Sequence, residues 1–464
     1  MSGLFGTLNV ANKGLQAAQT ALHTAGHNIS NANTDGFSRQ RVELKASLAY
    51  TLGGVGQLGT GVKMESIIRV VDDYVTKQIR QENGTMKQFA VKSEVMDQLE
   101  IIYNEPSETG LNFNLGEMFD AWTELSKNPE MLTAKSIVVE KSKTMADTLN
   151  HIAKQLEGLK TNTTDLIEMN AKDFNSIIDK LDSLNTQIFN IGIKGQTPND
   201  LLDQRDLLLR DLSTITNFST DFDKYGRVQI GLDTGSSEDT TVLSFNGSTK
   251  IEMTADDNGI IILEGGIAFS PESGEIAGYQ DALSDINEQM TKLDKFAQTM
   301  AEAINAAHKD GGAFTGDFFT FANGEFKASN IQVNSAIDSD NSLVNAGKGP
   351  NPAEGDGSKA QDVANVRNIK LDFTGDGNTD NTIESEYNSM VTNVGISKQQ
   401  ADNMVANQEV LLDQLVMRRE STSGVQIDEE VSNIIKFQKS YEANARVIQV
   451  LSEMLDVLIN RTGV

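Results

Sequence analysis

The segment "GVGQLG" has the glycine spacing of a loop that binds dinucleotide phosphates, because Gly54, Gly56 and Gly59 spell G-x-G-x-x-G. Such a loop needs a buried strand before it and the start of a helix after it. Here the following residues, "TGVKMESIIRVV", alternate like a strand. We therefore interpret the segment as a glycine-rich hairpin, with a nucleotide-binding enzyme as the alternative.

Residues 371–384, "LDFTGDGNTDNTIE", are similar to the calcium-binding loop of an EF-hand. Positions one, three, five and six of that pattern hold Asp372, Thr374, Asp376 and Gly377. Position twelve, which should be a bidentate glutamate, is Ile383, and Glu384 comes one residue late. A solvated turn is the favoured interpretation, and calcium binding is the alternative.

The histidines do not have the number and spacing that a metal site needs. His23 and His27 have the i, i+4 spacing of zinc ligands, but no glutamate separates them and no third ligand is near. A solvated helix face is therefore favoured. His151 and His308 stand alone, which leaves no histidine-based triad.

The segment "NDLLDQRDLLLRDL" (199–212) combines carboxylates and guanidinium groups on one predicted helix, as Asp203, Asp206, Arg205 and Arg210. Paired carboxylates can act as acid and base. On a helix surface this mixture more often forms intrahelical ion pairs and a cap. The sequence therefore predicts no catalytic residue, no cofactor and no metal, with a metal-binding enzyme as an alternative of a different class.

The composition limits the possible partners. Of 464 residues, 66 are acidic and 39 are basic, and the net charge of −27 argues against nucleic acid or an anionic membrane as a partner. The chain has no cysteine, which excludes disulfides and thiolate chemistry. The first residues, "MSGLFGTLNV", lack a basic segment, and no window is apolar enough to span a membrane. We therefore expect neither a cleaved secretory signal nor a membrane span.

Both ends of the chain carry apolar seams with heptad-type spacing. The N-terminal seam consists of Leu4, Leu8, Ala11, Leu15, Ala18, Leu22, Ala25 and Ile29. The C-terminal seam consists of Ile434, Phe437, Tyr441, Asn444, Ile448, Leu451, Leu455 and Leu458, and a second seam beside it consists of Val447, Val450, Met454 and Val457. A helix that is apolar on two sides needs more than one neighbour. We predict coiled-coil-like terminal helices that pair and then pack against other copies, the alternative being one hairpin within a globular fold.

The rest of the chain is predicted to be mainly α with a smaller β-rich insertion, an α+β class. Helical periodicity covers 75–103, 281–307, 384–394 and 398–419, and one or two long helices lie between Pro129 and Pro198 with an uncertain break at 159–165. We expect a multidomain, elongated subunit. Its parts are a terminal helical domain (1–45 and 425–464), a helical core domain (46–215 with 277–334 and 383–424), a β-rich insertion (216–276) and a glycine-rich, loop-like region (335–382).

The segment "GLQAAQTALHTAGHNISNANTDGFSRQRVEL" resembles the N-terminal signature of the axial proteins of the bacterial flagellum, which are rod, hook and hook-associated proteins. In that family a short helix precedes an N-I-[AS]-N-x-N-T-x-G-[FY] motif. The matching positions here are Asn28, Ile29, Ser30, Asn31, Asn33, Thr34, Gly36 and Phe37. His27 departs from the family, which commonly has asparagine at that position.

The C-terminal segment resembles the hook-associated branch of this family that lies at the hook–filament junction. The matching positions are Ser423, Gly424, Val425, Ile427, Asp428, Glu429, Glu430, Phe437, Gln438, Tyr441, Ala443 and Ala445. The motifs "GFSRQ", "PNDLLDQRD" and "GYQDAL" are also similar to this branch, whereas rod and hook proteins usually lack them. A hook or rod protein is the alternative within the family.

The resemblance implies a structural, non-enzymatic subunit that joins hook to filament. Members of the family are exported unfolded by the flagellar type III apparatus without a cleaved signal peptide, so the implied location is the extracellular flagellum. The implied partners are other copies of this chain, the hook protein, a second hook-associated junction protein and an export chaperone at the C-terminal helix. The terminal domain would form an inner tube, and the other domains would lie outside it.

The seams and the resemblance together define the candidate assembly residues. At the N-terminal end these are Leu8, Leu15, Leu22, Asn28, Ile29, Asn31, Asn33, Thr34, Gly36 and Phe37. At the C-terminal end, where the chaperone would also bind, they are Ile434, Phe437, Tyr441, Ala445, Ile448, Leu451, Leu455 and Leu458. For the asparagine-rich segment we expect hydrogen bonds between copies and no catalysis.

Overall fold

The computed structural model describes residues 2–52, 56–235, 239–375 and 377–460, which are mainly helical with small β-sheets, so the predicted fold class is confirmed. The helices are α1 (Ser2–Ser30), α2 (Asp73–Tyr103), α3 (Leu111–Lys127), α4 (Leu132–Gly192), α5 (Asn199–Ile215), α6 (Glu275–Lys309), α7 (Ser335–Ser339), α8 (Ser358–Asn365), α9 (Ile383–Ser423) and α10 (Ile427–Asn460). The strands are β1 (Gln40–Ala46), β2 (Tyr50–Leu52), β3 (Gly56–Leu58), β4 (Val62–Arg69), β5 (Ser219–Phe222), β6 (Val228–Leu232), β7 (Thr240–Leu243), β8 (Met253–Ala255), β9 (Ile261–Leu263), β10 (Ile267–Phe269), β11 (Phe319–Phe321) and β12 (Ile331–Val333).

The helix α4 is a single element of 61 residues. The sequence left open whether one or two helices lie here, because polar residues interrupt the apolar seam near 159–165. In the structure the Thr163 hydroxyl donates to the Leu159 carbonyl (2.8 Å), and Asn170 Nδ2 donates to the Leu166 carbonyl (3.0 Å). Because the helix satisfies these buried donors with its own carbonyl groups, it continues through the polar stretch.

Two apolar cores fill the body of the protein. The larger core lies among α2, α3, α4, α6, α8 and α9 and contains Trp122, the single tryptophan, edge-on to Phe318 with 5.1 Å between ring centres. The smaller core lies between α4, α5, α6 and the sheets of 219–269, around Phe174 and Ile230. Since α4 and α6 contribute side chains to both cores, these two helices connect them.

The strands form small antiparallel sheets. Two three-stranded sheets, β5-β6-β7 and β10-β9-β8, lie between α5 and α6, and β11 pairs with β12. After α1, β1 pairs with β4 and β2 pairs with β3, which makes a two-stranded ribbon within the described residues 40–52 and 56–69. The glycine-rich segment is therefore part of a hairpin, as the sequence predicts, although Gly54 itself lies outside the described residues.

Asparagine side chains on helices hold the first residues of several strands. Asn185 on α4 donates from Nδ2 to the Val228 carbonyl (2.8 Å) and accepts the Val228 N–H at Oδ1 (2.9 Å). The same arrangement joins Asn175 to Met253 and Asn305 to Phe319. The side-chain amide thus replaces the backbone of a neighbouring strand at the point where each strand begins.

The region 335–382, which the sequence predicts to be loop-like, contains α7, α8 and short 3-10 turns. Apolar residues spaced along it, such as Ile337 and Val344, are buried in the larger core and hold it in place. Directly after it, the helical segments expected at 384–394 and 398–419 belong to one helix, α9.

His308, near the end of α6, is buried beside Trp122 with 5.9 Å between the ring centres. Its Nε2 accepts the backbone N–H of Asn345 (3.0 Å). Burial, and after it the positive charge of Lys359, lower the pKa of His308 to about 4. The folded protein therefore holds this ring in its neutral form.

We expect the free energy of unfolding to fall as the pH drops from 6.5 to 4, because only the unfolded chain protonates His308 readily in that range. The contribution of His308 to the free energy of unfolding is about 3 kcal/mol. It is fully present above pH 6.5 and is lost as the pH falls through 4. Urea unfolding followed by Trp122 fluorescence measures the loss. In the His308→Gln variant the glutamine can accept the same N–H but does not titrate. The free energy of unfolding of this variant should therefore fall correspondingly less between pH 6.5 and 4 than that of the wild-type protein. An equal fall in the two proteins would contradict the assignment.

We expect Asn185→Asp to lower the free energy of unfolding by about 2 kcal/mol, because it removes a donor and sets a carboxylate against the buried Val228 carbonyl. Circular dichroism during urea unfolding measures the change. The control is Asn246→Asp in an exposed turn, where Oδ1 accepts the Ser248 N–H and the new carboxylate can do the same. Its effect should stay within about 0.5 kcal/mol. Equal effects of the two substitutions would show that the asparagine pairs do not hold the strands.

Candidate assembly interface

The two ends of the chain meet as an antiparallel pair of helices, α1 and α10. Arg39, just beyond the end of α1, forms ion pairs with Glu429 and Glu430 at the start of α10. Gly14, midway along α1, lies against Asn444, midway along α10. A Cβ atom at Gly14 would come within 2.7 Å of the Asn444 Oδ1, so the polar interruption of the C-terminal seam faces a residue that has no side chain.

Along the two helices of this pair, the small residues of the predicted seams are buried more deeply than the large ones. The buried alanines of α1 are Ala11, Ala17, Ala18, Ala21 and Ala25. The half-buried seam residues are Leu4, Leu8, Leu15, Leu22, Ile29, Ile434, Phe437, Asn444, Ile448 and Leu455, and the candidate residue Ala445 is also half-buried. Leu451 is buried, whereas Tyr441 and Leu458 are 36% and 51% exposed. A single pair of helices therefore leaves much of the predicted seams accessible.

A second apolar stripe on α10 is exposed in the single chain. It consists of Val447, Val450, Met454 and Val457, which are 41%, 49%, 51% and 43% exposed. The three- and four-residue spacing places these side chains on one face, beside the face that meets α1. Contiguous exposed apolar side chains of this kind mark surfaces that bind another molecule.

The asparagine-rich segment turns the chain from α1 into β1. Asn28, buried at the end of α1, donates to the Gln40 carbonyl (2.8 Å) and accepts the Gln40 N–H (3.0 Å). Gly36 has φ +76°, in the left-handed region that favours glycine, and lies against Leu207. Asn28 thus holds the first residue of a strand in the same way as the asparagines of the body.

Asn31, Thr34 and Phe37 of the motif also make contacts within this turn. Asn31 Nδ2 donates to the His27 carbonyl (3.0 Å), and the Thr34 hydroxyl donates to Asn31 Oδ1 (3.3 Å). Phe37 packs edge-on to His27 with 5.5 Å between ring centres. These bonds and those of Asn28 stabilise the turn itself, while Asn33 and Thr34 are exposed, and hydrogen bonds between copies stay a prediction.

Ion pairs connect this turn to α10 and to the body. Arg39 reaches Glu430 at 2.7 Å and Glu429 at 2.8 Å, and the Glu429 carboxylate raises the pKa of Arg39. Arg210 on α5 donates two hydrogen bonds to Asp35, at 3.0 and 2.6 Å, and lowers the pKa of that carboxyl. The turn is therefore fixed between the C-terminal helix and α5.

A buried charge cluster lies behind the turn. Arg69 on β4 contacts Asp203 (2.7 Å) and Asp206 (2.8 Å) of α5, and the Ser38 N–H donates to Asp203 (3.2 Å). The Arg69 and Asp203 side chains are only 10% and 8% exposed, and burial raises the pKa of Asp203 more than Arg69 lowers it. The sequence predicts intrahelical pairs here, but of these carboxylates only Asp206 also pairs within α5, with Arg205.

The calcium-loop candidate folds as a turn that binds its own backbone. The Asp372 carboxylate accepts the N–H groups of Thr374 (3.1 Å), Gly375 (2.6 Å) and Gly377 (2.8 Å), and these bonds lower its pKa. Ile383, the twelfth position, is buried at the start of α9. Asp376 lies outside the described residues.

The histidines that the sequence offers as metal ligands are not grouped in space. His27 lies 3.4 Å from Asp200, and His23 is exposed on α1. Among the described residues, no three histidine, aspartate or glutamate side chains are grouped closely enough to hold a metal ion. Within the same residues, no helix is both long and apolar enough to cross a membrane.

Comparison with known proteins gives matches for the terminal helices and for the helical body. A family model described as "Flagellar hook-associated protein FlgK helical domain" matches residues 96–319. The model "Flagella basal body rod protein" matches 8–37, and "Flagellar basal body rod FlgEFG protein C-terminal" matches 419–461. The rod-type matches thus cover α1 and α10, and the hook-associated match covers much of the body.

Relatives match over their whole length. Flagellar hook-associated protein 1 of Bacillus subtilis (strain 168) is 31% identical over 508 residues, which cover 100% of this chain and 99% of the relative. The protein of the same name from Escherichia coli (strain K12) is 24% identical and covers 98% and 99%. The solved structure of the flagellar hook junction protein FlgK from Burkholderia pseudomallei has a TM-score of 0.63 at 12% identity, covering 75% of this chain and 100% of that one, and supports the fold.

The paired terminal helices and the helical body define a structural protein of the bacterial flagellum. On the 31% identity across its full length, the chain belongs to the flagellar hook-associated protein 1 family. The resemblance seen in the terminal motifs is thereby confirmed.

We expect Arg69→Gln to lower the free energy of unfolding by about 3 kcal/mol, because it leaves the buried carboxylate of Asp203 without its partner. Arg210→Gln is the matched control, since it removes the ion pair to Asp35, whose side chain is 68% exposed. That loss should be below about 1 kcal/mol. Urea unfolding followed by circular dichroism compares the two variants, and equal losses would contradict the role of the buried cluster.

Proposed function

We propose that this chain is a structural subunit of the junction between the flagellar hook and filament, and that copies assemble into an axial layer through α1 and α10. The observation that carries the proposal is the exposed apolar stripe on α10, together with the half-buried seams of the helix pair. The names of the relatives, hook-associated protein and hook junction protein, support the location.

Burial of the exposed apolar surface of α10 favours assembly over the isolated monomer. One face of α10 is covered by α1, while the stripe beside it stays in water, and covering apolar surface is stabilising by about 25 cal/mol per Å². The proposed contact residues on α10 are therefore the exposed part of the seam, Tyr441 and Leu458, together with the stripe. The half-buried Leu8, Leu15 and Leu22 would become fully covered in the same layer.

The turn between α1 and β1 has a positioning role in this proposal. Its ion pairs to α5 and α10 fix the direction in which the helix pair leaves the body. A layer of identical subunits needs that direction to be the same in every copy. Asn28, Gly36 and Phe37 act within the subunit here, and the exposed Asn33 and Thr34 are available to a neighbouring copy.

We further propose that the neighbours in the flagellum are the hook protein and a second junction protein, and that an export chaperone covers α10 beforehand. An amphipathic helix with an exposed apolar face is what a hydrophobic groove recognises. Export in an unfolded state through the type III apparatus, without a cleaved signal, fits a chain that has no cysteine and cannot form disulfides on the way. The site of action is then extracellular.

We expect Val450→Glu to abolish assembly while leaving the secreted monomer folded. The side chain is 49% exposed, so the monomer should lose less than about 0.5 kcal/mol of stability. In a layer the new carboxylate would be buried without a partner, and we expect at least about tenfold fewer cells with filaments. Electron microscopy of cells that carry only this gene copy counts the filaments, and immunoblotting of the medium measures the secreted subunit.

Gln449→Glu is the control, because it adds the same charge to an exposed position of α10 that faces away from both the stripe and the seam. It should leave filaments intact. Normal filaments in the Val450→Glu cells would contradict assembly through this stripe. Complete loss of the gene should leave hooks without filaments and free flagellin in the medium, and filaments in that strain would contradict the junction role itself.

A further inference from the structure

A second unpartnered apolar surface lies on the β1–β4 ribbon. Leu44 pairs with Met64 and Tyr50 with Leu58, and directly opposite residues share one face of a ribbon. These side chains are 45%, 38%, 39% and 49% exposed, and Leu48 between them is 93% exposed. We call the pair Leu44 and Met64 the ribbon face, and Leu48, Tyr50 and Leu58 are further exposed apolar side chains along the same ribbon.

The opposite side of the ribbon is charged. Lys45 pairs with Lys63 across the strands and forms an ion pair with Glu65. The ribbon is attached to α1, because the Lys13 ammonium donates to Ser47 Oγ and to the Thr60 carbonyl, both at 3.3 Å. Contiguous apolar side chains that stay exposed on such a ribbon mark a surface that binds another molecule.

The ribbon face and the α10 stripe have complementary properties. Both are apolar and free of charge, whereas the chain as a whole carries −27, so these are places where two copies can meet without strong repulsion. One is the surface of a two-stranded sheet and the other is a row of valines and a methionine on a helix, so a sheet-to-helix contact can cover both. The ribbon is also continuous with the helix pair through α1.

We propose that the ribbon face of one copy docks on the α10 stripe of the next copy. The contact joins two different surfaces, so it is head-to-tail, and repeated contacts extend an array instead of closing a dimer. It rests on the proposed function in that it describes how the subunits of the axial layer touch. Each copy then has its ribbon face and its α10 stripe covered by neighbours.

Cysteine cross-linking tests the contact, and the absence of natural cysteines makes each introduced pair unambiguous. Cells carry a full-length chain with Leu44→Cys and Val450→Cys, and isolated hooks and filaments are treated with a short bismaleimide. We expect a ladder of dimers and larger multimers on an immunoblot. Cells that express the two single variants together should give the dimer, and each single variant alone should stay monomeric.

Lys45→Cys combined with Val450→Cys is the matched control, because neighbouring residues of a strand point to opposite faces, and we expect about tenfold less cross-linking. A dimer from Val450→Cys alone would show that the stripe packs against itself and would overturn the proposal. Assembled subunits that remain monomeric with Leu44→Cys and Val450→Cys would overturn it as well, while leaving the junction role intact. Absence of the wild-type chain from isolated hooks and filaments would overturn the junction role, and this contact with it.

Discussion

Asparagine side chains that stand in for a peptide group connect the helices of this protein to its strands. Asn28, Asn175, Asn185 and Asn305 each donate to and accept from the backbone of the first residue of a strand. Among the described residues the sheets have two or three strands, so many backbone groups there have no strand neighbour. Burying those groups unpaired would be costly, and the helix amides provide the missing partners.

These asparagine bonds fix strands both in the body of the subunit and at its N-terminal end. In the body it fixes two small sheets and the β11–β12 pair against the long helices α4 and α6. At the N-terminal end it fixes the ribbon to the end of α1, and ion pairs of Arg39 and Arg210 then orient both relative to α10 and α5. The polar contacts therefore set geometry within one copy, whereas the proposed contacts between copies use exposed apolar surfaces.

The net charge of the chain explains why polar contacts would act within a copy and uncharged apolar surfaces between copies. A net charge of −27 makes two copies repel each other over most of their surface, so an assembling chain must concentrate its attraction in uncharged areas. The α10 stripe and the ribbon face are such areas. Charged side chains remain useful where burial and a fixed partner hold them, as with Arg69 and Asp203.

The sequence by itself determined the helical class, the paired ends and the second seam on α10, because apolar periodicity is a local property of the chain. It also indicated the hairpin at the glycine-rich segment and the family. Only the tertiary structure decided that α4 is unbroken, that Asp203 reaches Arg69 of a distant strand, and that Asn28 bonds within its own copy. These outcomes depend on which groups lie near each other in space, and a polar residue gives no local signal of whether its partner will be solvent, its own helix or a strand more than a hundred residues away.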